Sequence, residues 1–179
     1  MSGIAKGFVT VGRGVGAAAG LVVALALPAL AQDLSPPSGQ PVLTVDGPIQ
    51  VTNVAGKAVF DMRMLQDMPK MSYRTSTVWT DGVLEFTGVP LKALLDRLGA
   101  AEGVSVSAKA INDYAVEIPA DAITDEAPII AYHIEGEEFS RREKGPLWVL
   151  FPYDADEKYR TEVTYGRSIW QLDRLTVSQ

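Results

Sequence analysis

Apolar and polar residues alternate with a period of two along much of the chain beyond residue 40. This period is typical of strands, whose successive side chains point to opposite faces of a sheet. A turn at Asp46-Gly47-Pro48 divides the first such region into two short predicted strands. The regions with strand character are 41–54, 70–78, 83–86, 104–111, 115–119, 129–134, 147–151 and 169–177.

Helical periodicity is confined to two segments. The clearer one follows Gly88, with Pro90 suited to a first turn and Gly99 to the C-terminal end. Its apolar stripe has helical spacing and consists of Leu91, Leu94, Leu95 and Leu98. A shorter helix is predicted to begin at Asp61, which can cap free amide groups, and to end before Pro69. Many strands with few helices predict an α+β fold.

The N-terminal segment has the pattern of a cleavable signal peptide. Lys6 and Arg13 give it positive charge, residues 15–30 are almost entirely apolar, and the small-x-small sequence Ala29-Leu30-Ala31 follows. We therefore expect a signal peptide at 1–31 and export to a bacterial periplasm. Residues 32–40 are polar and rich in proline, which predicts a flexible leader before a domain at 41–179.

The charge balance bears on the class of partner. Removing Lys6 and Arg13 with the signal peptide changes the formal net charge from −6 to −8, because 14 basic and 22 acidic residues remain. A protein with this charge repels phosphate backbones, so we expect no nucleic-acid partner. The chain contains no cysteine, which excludes disulfide bonds and thiolate ligands.

Nucleophilic hydrolysis and histidine-based metal chemistry lack candidate residues. The single histidine, His133, lies inside an apolar predicted strand, and no G-x-S-x-G sequence occurs. A lone histidine in such a strand is interpreted as a structural residue. Glu135, Glu137 and Glu138 lie at a predicted hairpin tip and are interpreted as a solvated turn.

Three loop or strand-end segments carry groups suited to a planar polar heterocycle. Trp79 offers an aromatic face beside threonine hydroxyls, residues 112–114 offer amide, carboxylate and phenol groups, and Arg167 offers a cation. Such segments commonly converge on one edge of a small domain. Trp148 and Trp170 lie among apolar residues, so core packing stays open as an alternative to ligand contact for both.

Four segments together resemble a known family. They are TSTVWTDGVLEFTGVPLKALLDRLGA at 75–100, INDYAVEIPAD at 111–121, GPLWVLFPYD at 145–154 and RSIWQLDRLTV at 167–177. In this order they resemble the oxidoreductase molybdopterin-binding domain of the sulfite oxidase fold, over roughly residues 41–177. The resemblance implies an α+β domain with mixed β-sheets and few helices that holds a pterin in a cleft. By the same resemblance, the pterin-binding residues are Thr77, Trp79, Thr80, Asn112, Asp113, Tyr114 and Arg167.

The resemblance also implies a change of function. Catalytic relatives carry a molybdenum-ligating cysteine near the equivalent of Val78 and Trp79, and an arginine where this chain has Trp148. We therefore expect a bound pterin, no molybdenum and no enzymatic activity. The chain resembles the short exported branch of periplasmic pterin-binding proteins, which can act as ligand-dependent partners of membrane enzymes that make or degrade cyclic di-GMP. Two alternatives stay open: a molybdenum-cofactor-dependent oxidoreductase subunit, or a protein interaction module with an empty cleft.

Overall fold

Two β-sheets carry the fold of the part of the chain that the structure describes. This structure is a computed structural model, and it describes residues 1, 3, 33–140, 142 and 144–179. Apart from residues 1 and 3, the predicted signal peptide lies outside these ranges. Within them, no helix combines the length and the apolar character that a membrane span requires.

Eleven strands lie within the described ranges. In chain order they are β1 (Pro41–Asp46), β2 (Ala58–Asp61), β3 (Met71–Thr77), β4 (Thr80–Pro90), β5 (Ser105–Ala110), β6 (Ala115–Ile118), β7 (Ile129–Ile134), β8 (Glu137–Glu138), β9 (Trp148–Leu150), β10 (Ile169–Trp170) and β11 (Leu172–Ser178). The first sheet has the order β2-β1-β11-β5-β6 and is mixed, because β1 and β11 run parallel. The second has the order β10-β9-β7-β4-β3, with β8 also paired to β7, and its pairs are antiparallel.

Helices are few and short in the described residues. They are α1 (Met62–Gln66), α2 (Leu91–Arg97) and α3 (Glu162–Gly166), with 3-10 turns at Ala120–Ala122 and Glu157–Tyr159. The predicted leucine stripe of α2 is buried, since Leu91, Leu94 and Leu98 are each 0% exposed. A fully buried leucine contributes about 1.5–3 kcal/mol relative to an exposed one, so this face anchors the helix. The predicted α+β class is confirmed.

Strand β7 is buried on both faces, which joins two hydrophobic cores. Ile130 and Tyr132 pack in the main core with α2 and the first sheet. Ile129 and Ala131 face a second core, which contains Trp148. This two-sided burial explains why the strand is a continuous apolar run rather than an alternating one.

Gly88 permits a close approach between β4 and β7. A Cβ atom at this position would clash with the backbone carbonyl of Ile130. The strand pairing has an irregularity between Thr87 and Gly88, at the same place. A side chain is therefore excluded here by packing, although the backbone conformation is ordinary.

Two sequence-based strand predictions are wrong. The predicted final strand at 169–177 is broken at Gln171, whose φ of 54° turns the chain from β10 in the second sheet to β11 in the first. The predicted strand after the turn at residues 46–48 does not form. Its residues Gln50 and Val51 instead donate backbone N–H groups to the carbonyl of Leu98, just beyond the last residue of α2. Free carbonyls at a helix end need such partners, and this need determines the local path.

Asp61 binds Ser38 and Gly39, which precede β1, to the domain. Its Oδ2 accepts from the N–H groups of Ser38 and Gly39 at 2.9 and 2.7 Å, and its Oδ1 caps α1 by accepting from Met64 N–H at 2.9 Å. Asp61 is 3% exposed. These hydrogen bonds hold the pKa of Asp61 below its usual value, the bond from Met64 being the largest cause.

We expect Asp61→Ala to lower the free energy of unfolding by about 3 kcal/mol, because it removes a helix cap and leaves buried N–H groups unpaired. Asp61→Asn should lower the free energy of unfolding by less, since its remaining oxygen can still accept from the N–H of Met64. Its amide NH2 group cannot accept from the N–H of Ser38 or of Gly39. The control is Asp67→Ala, whose side chain is exposed and forms only a long contact with Arg63 at 3.9 Å. Chemical denaturation checks the ranking, and equal losses at positions 61 and 67 would contradict it.

The same interaction has a defined pH dependence. Because the pKa of Asp61 is lowered in the folded state, its stabilising contribution is present above the ordinary aspartate pKa of about 3.9. It is lost as the pH falls through the lower folded-state value. The stability gap between the native protein and Asp61→Asn should therefore narrow below about pH 4.

Candidate ligand-binding site

A cavity of about 480 Å³ lies beside the crossing from β10 to β11. Its volume falls within the range of about 300–1,000 Å³ that is usual for small-molecule sites. Strand ends from both sheets and the segment after α3 supply its walls. The aromatic lining residues are Trp79, Tyr114, Tyr165 and Trp170. The polar ones are Asn112, Ser168 and Gln171, and the small or aliphatic ones are Ala110, Gly166 and Ile169.

The hairpin between β3 and β4 places Trp79. Val78 and Trp79 form its two-residue turn, and the hydroxyl oxygens of Thr77 and Thr80 lie 2.8 Å apart across it. The Thr77 hydroxyl oxygen also accepts a hydrogen bond from the Trp79 N–H at 3.0 Å. Thr77 and Thr80 therefore hold the turn that carries the indole, and they are not among the residues that line the cavity.

Trp79 is the centre of an aromatic cluster. Its ring centroid lies 5.8 Å from those of Trp148, Tyr165 and Trp170, and 6.2 Å from that of Tyr153, each in an edge arrangement. Such pairs contribute about 0.5–1.5 kcal/mol each beyond their burial. Trp148 is fully buried and fills the second core, whereas Trp170 is 38% exposed and lines the cavity.

The turn between β5 and β6 presents Asn112 at the cavity. Asn112 Oδ1 accepts from the N–H of Tyr114 at 3.2 Å, which leaves its Nδ2 group as the end that can donate to a ligand. Asp113 has a φ of 68° and forms ion pairs with Lys109 and Arg174 at 3.1 and 3.0 Å. These partners lower the pKa of Asp113, the hydrogen bond from Lys109 being the largest cause. Asp113 thus braces the turn from outside the lining.

Ser168 is fixed in the wall by a buried phenol. Its hydroxyl lies 2.5 Å from the hydroxyl of Tyr153, and Ser168 also donates to the carbonyl of Thr164 at 3.3 Å. Burial raises the pKa of Tyr153 to about 12, so the phenol is neutral at physiological pH. The pair sets the position of Ser168 and carries no charge.

The structure brings together only part of the predicted pterin-binding set. Trp79, Asn112 and Tyr114 line one cavity, whereas Thr77, Thr80 and Asp113 support it from outside. Arg167 lies on a different surface depression, beside Lys158 and Tyr159. The reason is local: Arg167 follows the last residue of α3, and its neighbours Gly166 and Ser168 face the cavity instead.

Several lining residues were not among the sequence-based candidates. Tyr165 and Gln171 have no motif that distinguishes them from ordinary loop residues, and their positions depend on α3 and on the strand break. Ser168 is the chain neighbour of the predicted residue Arg167, and Trp170, for which the sequence left ligand contact and core packing open, lines the cavity. His133 lies on β7, 4.8 Å from the ring of Tyr132, and does not line the cavity.

The lining offers few donors that a metal ion prefers. Its ten residues include no thiolate, imidazole or carboxylate group. Among the residues that the structure describes, no three histidine, aspartate or glutamate side chains cluster as metal ligands would. The donors present are neutral amide, hydroxyl and indole groups, which suit hydrogen bonding to an organic ligand better than a soft transition metal.

Asp154 fastens the loop after β9 to the strand that leads to Trp79. Its carboxylate accepts from the N–H of Ser76 at 2.6 Å and from the Ser76 hydroxyl at 2.9 Å. In the reverse direction, the Asp154 N–H donates to the Thr75 hydroxyl at 3.0 Å. The bond from the Ser76 backbone is the largest cause of a lowered pKa at Asp154. The chain segment between β9 and β10 carries Tyr153 before Asp154 and Tyr165 in α3, and both rings contact Trp79. The Asp154 contact therefore holds this segment beside the hairpin that carries Trp79.

A mixed sheet and an antiparallel sheet, with a cavity at strand ends of both, define an α+β domain with a candidate ligand site. The chain belongs to the family of the oxidoreductase molybdopterin-binding domain, whose family model matches residues 49–155. Its fold resembles that of the sulfane dehydrogenase SoxCD from Paracoccus pantotrophus, with 18% identity and a TM-score of 0.55. That match covers 75% of this chain and 37% of the SoxCD chain. No curated protein sequence matches this chain. The predicted sulfite-oxidase-like fold is confirmed.

We expect Asp154→Ala to lower the free energy of unfolding by about 1–2 kcal/mol, because hydrogen bonds to a partly exposed carboxylate are lost. Near-ultraviolet circular dichroism should weaken as well, since the aromatic cluster loses its alignment. The control is Asp81→Ala, which removes the same charge from an exposed position on the hairpin that Asp154 contacts. Equal effects of the two substitutions would show that Asp154 does not position the cluster.

Proposed function

We propose that this protein is an exported pterin-binding protein that uses the pterin as a signal rather than as a catalytic cofactor. The observation that carries the proposal is the lining of the cavity, where four aromatic side chains accompany three neutral polar ones. A pterin is a flat heterocycle with hydrogen-bonding groups along its edges. Aromatic faces can stack on such a ring while side-chain amides pair with its edges.

The individual contacts support this ligand class. Trp170 is 38% and Tyr114 58% exposed, so both rings have faces that a planar ligand can cover. The Nδ2 group of Asn112 can donate to a carbonyl or ring-nitrogen acceptor. Ser168 adds a hydroxyl whose orientation is set by Tyr153. The site thus combines stacking with hydrogen bonds of defined direction.

The family name implies a molybdenum cofactor, and the residues present fit only the pterin ring of that cofactor. The lining can accept a pterin ring, but it supplies no thiolate to a metal, since the chain contains no cysteine. Molybdenum ligation by the protein is therefore not part of our proposal. Membership of the family and the SoxCD-like fold support a pterin ligand without defining a reaction.

The exposed residues beside the cavity support a regulatory role with a protein partner. Val78 is 63% and Ile111 47% exposed, and each is the chain neighbour of a lining residue. Contiguous exposed apolar patches mark interaction surfaces, and our proposal assigns these two side chains to the surface that a partner covers. We propose that a protein partner contacts the rim of the cavity formed by Val78 and Ile111. We propose that this partner is the periplasmic domain of a membrane enzyme that makes or degrades cyclic di-GMP.

Pterin binding is expected to quench the tryptophan fluorescence, because all three tryptophans of the chain belong to the cluster around Trp79. Trp79→Ala should weaken binding at least about tenfold, which corresponds to about 1.4 kcal/mol. Trp79→Phe should retain more affinity, because it keeps an aromatic face. Titration with oxidised and tetrahydro pterins, followed by fluorescence and calorimetry, measures both effects.

Val83→Ala is the matched control, since Val83 is exposed on the same hairpin and does not line the cavity. Far-ultraviolet circular dichroism establishes that each variant is folded. Failure of every pterin to bind the native protein would contradict the proposal and favour the interaction module with an empty cleft. Stoichiometric molybdenum in protein purified from its own host would favour the oxidoreductase.

In the native host, we expect deletion of the gene to change the cellular concentration of cyclic di-GMP. The wild-type gene should restore it, whereas Trp79→Ala should not. Val78→Asp should also fail to restore the concentration, because it places a charge on the rim that the partner contacts. It should retain pterin binding, because Val78 does not line the cavity. An unchanged concentration after deletion would contradict the signalling role.

A further inference from the structure

The walls of the cavity carry no formal charge. All ten lining residues are aromatic, aliphatic, amide, hydroxyl or glycine residues. An uncharged wall interacts well with an uncharged heterocycle, but it provides no counter-charge for a phosphate group.

The cationic side chains near the cavity already form ion pairs or hydrogen bonds within the protein. Arg174 and Lys109 pair with Asp113 at 3.0 and 3.1 Å, and Arg174 also pairs with Asp173 at 3.0 Å. The Nε–H of Arg160 donates to the carbonyl of Tyr153 at 3.0 Å. These contacts neutralise or occupy the cations and hold the loops that shape the cavity.

Two further cations are directed elsewhere. The ammonium group of Lys144 lies over the ring of Trp148, 5.7 Å from its centroid, and Trp148 is buried behind Trp79 and Trp170. Arg167 lies on the separate depression beside Lys158. Neither Lys144 nor Arg167 lines the cavity, so neither places a cation in its wall.

The net charge of the protein adds repulsion of anions. The chain has a formal net charge of −6, which repels anionic ligands over a distance set by the salt concentration.

We propose that the cavity selects pterins with an uncharged side chain and discriminates against phosphorylated pterins. This inference rests on the proposed pterin-binding function and makes the ligand class narrower. The proposed selectivity excludes molybdopterin as the ligand, because molybdopterin carries a terminal phosphate group. The selection arises from a neutral aromatic wall and from cations that are already paired.

The test compares neopterin, whose side chain carries only hydroxyl groups, with neopterin monophosphate, each in oxidised and tetrahydro forms. Protein made from the full chain is titrated by calorimetry and by tryptophan fluorescence. At an ionic strength of about 0.01 M, neopterin should bind at least about fivefold more tightly than its monophosphate. At about 1 M, where the Debye length is about 3 Å, the difference should shrink.

A pair of substitutions tests the electrostatic cause. Tyr114→Arg adds a cation to the rim of the cavity, and Tyr114→Gln removes the same ring without adding charge. We expect the preference for neopterin over its monophosphate to narrow in Tyr114→Arg and to persist in Tyr114→Gln. Both variants lose a stacking face, so the comparison is made between the two ligands within each variant. An equal preference in both variants would overturn the electrostatic explanation.

The remaining outcomes are distinct. Equal or tighter binding of the monophosphate to the native protein would overturn the inferred selectivity and leave the pterin-binding function standing. Absence of binding by either compound, in both oxidation states, would overturn the pterin-binding function itself.

Discussion

The position of Trp79 is the constraint on which the candidate site depends. Its indole contacts rings from β9, from the loop after β9, from α3 and from β10, all of which lie far from Trp79 in the sequence. The hydroxyls of Thr77 and Thr80 interact across the turn that carries Trp79, and Asp154 binds Ser76 in strand β3, which leads into that turn. Because these interactions converge on one side chain, the cavity wall is a product of the tertiary fold rather than of one motif.

Much of the fold follows from the sequence because the pattern of apolar residues reports directly on burial. The continuous apolar run of β7 and the helical stripe of leucines in α2 were predictable for this reason, and both anchor the main core. The break at Gln171 was not, because apolar residues continue on both sides of it and glutamine has no preference for positive φ. That break matters most for the site, since it moves the chain from one sheet to the other beside the cavity.

The candidate site was predictable to the extent that its residues lie on tight turns. Trp79 and Asn112 occupy hairpin turns, where the sequence shows both the turn and the exposed functional group. Arg167 illustrates the limit of this reasoning. Adjacent residues at the end of a short helix point in different directions, so the choice between Arg167 and Ser168 depends on where α3 ends. The family resemblance located the segment but could not supply that orientation.

Two carboxylates perform the cross-linking that a cysteine-free chain cannot obtain from disulfides. Asp61 joins residues 38 and 39 to the start of α1, and Asp154 joins strand β3 to a loop 78 residues further along. Each accepts backbone N–H groups, and in each the folded state lowers the pKa. The losses of about 1–3 kcal/mol expected on removing these contacts overlap the contribution of a disulfide, about 2–4 kcal/mol, and such contacts form and break without redox chemistry. The loop held by Asp154 also carries Tyr153 and Tyr165, so the strength of this contact and the order of the aromatic wall are coupled. Ligand stacking on that wall would in turn favour the state in which the Asp154 contact is formed.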